Sequence, residues 1–226
     1  MRKILPLCVS LSLIILVFSG CKDNAPPNDP AEYADILRQY REFVLTDADD
    51  LPDYYDLSTD EVTHPWYGLM EAKYYLSNNA YGYGLKDING DGVTELVFLV
   101  KQPGQEYIDV YAIYSLVDGT PNLLGGYWSR NHCVIKEDGA IYVHASGGAA
   151  YLWAYVYHIA PGGQALSLVE GVRMDGDLYD IIHQNGSETE ISEEEGRLLF
   201  ERFYERRGDL STTYNRATGI DFIPLF

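Results

Sequence analysis

The sequence predicts an α+β fold, mainly an antiparallel β meander sheet with helices from the N- and C-terminal parts of the chain packed against it. Three observations lead there. β-prone segments alternate with turn dipeptides at Asp118-Gly119, Asp138-Gly139, Gly147-Gly148, Gly162-Gly163 and Asp175-Gly176, a spacing that lets each strand pair with its sequence neighbour. Apolar side chains recur at helical spacing on both sides of this region. No internal repeat of useful length is visible, which disfavours a propeller or a solenoid.

The elements follow in order. Asp29 and Glu32 form a capping-box pattern with Pro30 at the first helical position, and Tyr33, Ile36, Leu37, Tyr40, Phe43 and Val44 make one apolar face. Residues 46–65, rich in Asp, Pro and Thr, read as an acidic solvated loop, and Trp66 to Ser77 as a second helix. Tyr81–Leu85 alternates as a strand does, while Leu96–Val100 is the continuous apolar, β-prone run of a buried strand. Further strands are expected near 107–116, 122–129, 132–136, 140–145, 150–159, 165–172 and 177–183. Ser192 and Glu195 cap a last helix carrying Leu198, Leu199, Phe203 and Tyr204, which Gly208 stops.

Before these elements stand Arg2, Lys3 and an apolar stretch from Ile4 to Phe18, short for a membrane span and suited to the core of a secretory leader. The stretch ends Leu16-Val17-Phe18-Ser19-Gly20-Cys21. This resembles the lipobox of bacterial lipoproteins, and the resemblance implies cleavage after residue 20 and lipidation of Cys21. The organisation expected is then a signal peptide over 1–20, a lipid-attached polar spacer over 21–29 and one domain over 30–226. An acylated cysteine tethers a domain stably to a membrane surface without spanning it. The expected location is extracytoplasmic, on the bacterial cell membrane. Of the three cysteines, only Cys133 lies in the domain, so no disulfide forms within it, and a buried structural thiol is expected there.

Charge narrows the partners. With 34 acidic against 16 basic residues, the formal net charge is −18. Nucleic acid is an unsuitable partner, because neutralising phosphates takes clustered Lys and Arg, and Arg202–Arg207 is interrupted by Glu205. Acidity also keeps a tethered domain soluble and away from anionic headgroups.

The strongest chemical signal is Asp87-Ile-Asn-Gly-Asp-Gly-Val-Thr-Glu95. A hard cation such as calcium takes six to eight oxygen ligands, so a short loop must turn several carboxylates and amides inward. Asp87, Asn89 and Asp91 alternate correctly for this, the Val93 carbonyl follows, and Glu95 closes the shell, while Gly90 and Gly92 allow the bends. Position twelve is Phe98 and strands flank the loop, which is not the helix-loop-helix of a calcium sensor. The arrangement resembles the D-x-[DN]-x-DG-x-x-[DE] loops of FG-GAP and VCBS repeats, and more closely the single D-x-N-G-D-G-x-x-E-L loop of secreted bacterial lipoproteins of unknown function. The resemblance implies calcium as cofactor, with Asp87, Asn89, Asp91, Val93 and Glu95 as ligands. The competing reading is a solvated hairpin turn without metal.

Aromatics are the second signal. The chain has 20 tyrosines, and strand alternation puts Tyr151, Trp153, Tyr155 and Tyr157 on one face with Leu152, Ala154, Val156 and His158 on the other. Either the aromatic face is core, or it is a ladder open to a glycan, a peptide or an envelope protein. A search for catalytic patterns is mostly negative. His144-Ala145-Ser146-Gly147-Gly148 lacks the leading glycine and strand-to-helix setting of a nucleophile turn, Glu61-Val62-Thr63-His64 has no second histidine at helical spacing, and His132, His144 and His158 lie on separate strands. The preferred expectation is a non-catalytic calcium-binding module. Its alternative is a cell-envelope hydrolase built from acids and histidines that the sequence does not assemble.

Overall fold

A computed structural model describes residues 30–46, 65–75, 78–104, 108–208, 216–217 and 219–226. The expected signal peptide, Cys21, the spacer and nearly all of the acidic loop lie outside the described residues. A 3-10 turn over Ala31–Tyr33 leads into α1 (Ala34–Leu45), followed by α2 (Pro65–Tyr75). The strands are β1 (Ala80–Lys86), β2 (Glu95–Lys101), β3 (Asp109–Val117), β4 (Thr120–Gly126), β5 (Asn131–Ile135), β6 (Ile141–Gly148), β7 (Tyr151–Ile159), β8 (Leu166–Asp175), β9 (Leu178–Ile182) and β10 (Glu188–Ile191). Then come α3 (Glu193–Arg207) and two short strands, β11 (Arg216–Ala217) and β12 (Ile223–Pro224).

The β-rich class and its flanking helices are as expected, though the helices are a minor part. The single meander is not. The strands form two sheets, a five-stranded one in the order β12-β1-β2-β3-β4 and a seven-stranded one in the order β10-β9-β8-β7-β6-β5-β11. The chain changes sheet between β4 and β5, where only an isolated bridge between Trp128 and Asn131 joins consecutive strands. All the sheet pairs are antiparallel except β11 with β5.

Strand alternation explains why the sheets stack. On β2, Leu96, Phe98 and Val100 face α1 and α2, joining Leu37, Tyr40, Phe43 and Leu69 in one core. Val97 and Leu99 point the other way, into a second core shared with Cys133, Ile135, Ile141, Val143 and Ile159 of the seven-stranded sheet. On the far side of that sheet, Val134, Tyr142, Ala154, Val156 and Val172 meet Phe200 and Phe203 of α3. The result is helices, sheet, sheet, helix. Both sheets carry apolar residues on two faces, which is why Leu96–Val100 reads as an unbroken apolar run.

The expected cap at Asp29 lies outside the described residues, and α1 starts after a 3-10 turn with no side-chain cap, but the signals around α3 behave as chemistry demands. Ser192 accepts from the Glu195 amide, and the Glu195 side chain answers on the Ser192 amide, so the capping box opens α3. Gly208 closes it at φ 105°. Gly82 and Gly84 of β1 serve a different need. A Cβ on Gly82 would stand 2.5 Å from the Ile223 carbonyl oxygen, and one on Gly84 would stand 2.1 Å from Ile220, so these glycines let the C-terminal segment lie against β1.

Candidate functional site

The loop between β1 and β2 is shaped by its own carboxylates. Asp87 Oδ1 accepts from the amides of Gly90 (2.8 Å) and Asp91 (3.1 Å), and Oδ2 from Gly92 (2.9 Å). Asp91 Oδ1 accepts from the Val93 amide at 2.9 Å, and Asn89 Oδ1 from the Asp91 amide at 3.1 Å. Gly90 and Gly92, at φ 74° and 89°, make the bends this wrapping needs. Asp91 Oδ2 accepts from the Asn89 side-chain amide at 2.9 Å, and also from the Gly162 amide at 3.2 Å.

That last bond leaves the five-stranded sheet and reaches the β7–β8 turn of the other. Two more contacts run the same way. Lys86 Nζ donates to the Glu137 carbonyl at 3.4 Å, and the Ile88 carbonyl lies so close to Gly139 that a Cβ there would approach it to 2.3 Å. Ile88 itself is buried in the core between the sheets. The loop therefore joins the sheets at one end of the stack.

Glu95 sits at the base of the loop with no exposed surface. Its Oε2 accepts from the Ile88 amide at 2.8 Å, and its Oε1 from the Ser115 hydroxyl at 2.9 Å. Burial pushes its carboxyl above the usual range, and the nearby charges of Asp91 and Asp87 push it the same way, while the two donors oppose them. Asp91, at the exposed lip, is held low mainly by the Val93 amide and the Asn89 amide.

Asp87, Asn89 and Asp91 thus gather on one lip, with Val93 following and Glu95 turned inward. The donor chemistry fits a hard divalent cation, since it consists of carboxylates and an amide oxygen without nitrogen or sulfur ligands. The side chains do not converge on one point, because backbone amides and Ser115 hold them. Among the described residues no group of three or more His, Cys, Asp or Glu is placed to hold a metal ion.

Both faces of β7 prove to be partly covered. Ala154 and Val156 lie under α3. Trp153, Tyr155 and Tyr157 point between the sheets and line a cleft of about 700 Å³, whose other walls are β4, the ends of β6 and the start of β8. Tyr151 is apart from them, 47 % exposed. The ladder is therefore neither plain core nor a flat open face. Sequence reasoning missed the facing wall, Leu123 to Trp128 with Arg130 and Asn131. At Gly125 a Cβ would stand 2.6 Å from the Tyr127 hydroxyl, so the missing side chain there admits the Tyr127 ring.

A polar cluster lies on the opposite face of the same sheet. His132 and His144 are cross-strand partners whose rings stack with centroids 6.3 Å apart, and Tyr204 of α3 meets His144 Nε2 at 2.8 Å. Burial and then the Arg207 charge lower both imidazoles, His132 to about 3 and His144 to about 4. His158 is exposed and does not join them. The Ser146 hydroxyl is committed to its own turn, donating to the Gly148 carbonyl and accepting from the Gly148 amide. Cys133 is fully buried, and burial pushes its thiol well up.

No family model, curated protein or solved structure matches the chain. The fold defines its class, a β-rich α+β domain with two stacked sheets between helices, and no helix among the described residues is long and apolar enough to cross a membrane.

Proposed function

We propose that the protein is a non-catalytic, lipid-anchored extracytoplasmic module, tethered through Cys21. A structural calcium ion at Asp87, Asn89, Asp91, Val93 and Glu95 holds its two sheets together, and the aromatic residues between the sheets receive a glycan, peptide or envelope-protein ligand. One observation carries the calcium reading: a fully buried Glu95 whose charged neighbours are two more carboxylates, Asp91 and Asp87, in a loop that also bonds to the opposite sheet through Gly162. Like charges so placed repel, and a divalent cation turns that repulsion into attraction.

The test is thermal unfolding of the full chain after chelation, with and without added calcium. Metal that binds only the folded state raises its stability by mass action, so calcium should raise the melting temperature, and Asp87→Ala with Asp91→Ala should remove the increment. An unchanged melting temperature in the chelated wild type would defeat the reading. For the tether, Cys21→Ser should move the protein from the membrane to the soluble fraction; membrane retention of that variant would remove lipidation from the account.

A further inference from the structure

The cleft between the sheets specifies more about its ligand than the aromatic ladder does. In a chain with 34 acidic residues, no carboxylate among the described residues lines it, and the one charged side chain they place on its wall is Arg130. Arg130 is exposed and makes no side-chain hydrogen bond or ion pair among the described residues. The nearby carboxylate of Glu71 is engaged by the amide and hydroxyl of Ser129.

The remaining wall is mostly apolar, with the exposed carboxamide of Gln164 as a further polar group on it. Asn131 Nδ2 donates to the Gly126 carbonyl at 3.1 Å and Ser146 is tied to Gly148, while the Tyr127 hydroxyl is buried without a hydrogen-bond partner among the described residues. A sugar brings a hydroxyl on most of its carbons, and each one stripped of water without a partner is costly. An alkyl chain has no such requirement. The cleft is also elongated. The Arg130 carbonyl accepts from the Ser146 amide, which places Arg130 at the Trp153 end, and the aromatic row runs from there to Tyr157 and Leu166. Four residues along a strand cover about 13 Å, and a volume of about 700 Å³ lies within the range of small-molecule sites.

We infer that this cleft binds a free long-chain carboxylate, its alkyl chain lying along Trp153, Tyr155 and Tyr157 and its anionic end meeting Arg130. The inference rests on the reading of the aromatic cleft as a binding site and puts a long-chain carboxylate in place of the glycan, peptide or envelope-protein ligand proposed above.

Trp128 and Trp153, two of the chain's three tryptophans, line the cleft, so intrinsic fluorescence reports on it. The full chain is titrated with dodecanoate below its micellar concentration, and separately with dodecylammonium and with chitotriose. Dodecanoate should give a saturable change and bind at least tenfold more tightly than dodecylammonium. Arg130→Gln, on the surface, should weaken dodecanoate binding by about two- to fivefold, the scale of one exposed charge interaction. Ala145→Phe, which fills the cleft beside Trp153, should abolish it. Equal binding of the alkylammonium, or an unaltered affinity in Arg130→Gln, would overturn the inference. A response to chitotriose without one to dodecanoate would overturn the ligand class and keep the cleft as a binding site. Silence from all three would remove both, whereas the calcium reading stands on its own melting experiment.

Discussion

Replacing Glu95 with Gln separates a metal ligand from a buried structural acid. The two side chains have the same shape, and the two donors that hold Glu95 respond differently. The Ile88 amide at 2.8 Å needs an acceptor, which the Gln carbonyl oxygen supplies at the Oε2 position. The Ser115 hydroxyl at 2.9 Å can rotate to accept from the new amide group instead of donating. Without metal, the exchange weakens two charge-assisted hydrogen bonds by about 1 kcal/mol each. It also removes the cost of a buried charge and its repulsion from Asp91 and Asp87, both of which act against the ionised form. These effects oppose one another, so the calcium-free variant should stay within about 1 kcal/mol of wild type. With calcium the balance changes. At a free concentration one hundred times its dissociation constant, an ion stabilises the folded state by about 2.7 kcal/mol, which for a domain of this size corresponds to about 5–11 °C in melting temperature. Glu95→Gln should lose most of that increment. The assay is calorimetry of both proteins at pH 7, in chelator and across a calcium series. A variant that keeps the full wild-type increment would refute the assignment of Glu95 as a ligand, and one that loses several kcal/mol in chelator would show that the carboxylate is needed without metal.

Other expectations follow from the packing and the titrating groups. Gly196→Ala should destabilise the fold by about 1–3 kcal/mol in urea unfolding despite alanine's better helix propensity, because the new Cβ would stand 2.1 Å from the Tyr179 ring. Phe98→Ala should cost about 3–5 kcal/mol, since the ring is fully buried and stacked on Tyr40 at a centroid distance of 3.9 Å. His132 and His144 titrate at about 3 and about 4 when folded, against 6.5 when unfolded. The unfolded chain therefore takes up their protons first, and their contribution is complete above pH 6.5 and falls by about 1–2 kcal/mol each by pH 5. His132→Gln should flatten this acid limb of a stability curve measured by urea unfolding. Asp109 has the opposite sign, raised by burial from 3.8 to about 7. Its contribution is present below pH 3.8 and lost as pH rises toward 7, and Asp109→Asn should remove that loss between those values.

Strand positions were legible because the local signals agree with the global fold. Asp118 and Gly119, at φ 51° and 75°, make the hairpin turn that an Asp-Gly pair specifies, and the strands from β1 to β9 fall within a few residues of the expected spans. The partition into two sheets was not legible. The link from Trp128 to Asn131 is as short as a hairpin, and whether successive strands pair or cross depends on which faces find partners elsewhere. β10, β11 and β12 were also missed, the first being four residues long and the other two only two residues long. Of the candidate site, the turn-forming role of Asp87, Asn89 and Asp91 was visible in their spacing. The burial of Glu95 was not, since it depends on Ser115 of a strand twenty residues away. For the aromatic row, period-two alternation found Trp153, Tyr155 and Tyr157 together, whereas the wall opposite them comes from the other sheet and leaves no mark in the spacing of β7.

The glycines of β1 accommodate a segment with a wider role. β12 lies on the outer edge of the five-stranded sheet and β11 on an edge of the seven-stranded one, with Leu225 held by the Tyr81 carbonyl and by Arg41. Residues 216–217 and 223–224 thus occupy two strand edges whose unpaired backbone groups would otherwise template intermolecular pairing. During N-to-C synthesis, these residues emerge after every strand they cover. Both edges stay open until then, so the half-made chain is the species most exposed to aggregation, and a C-terminal fusion placed against β12 would prolong that interval.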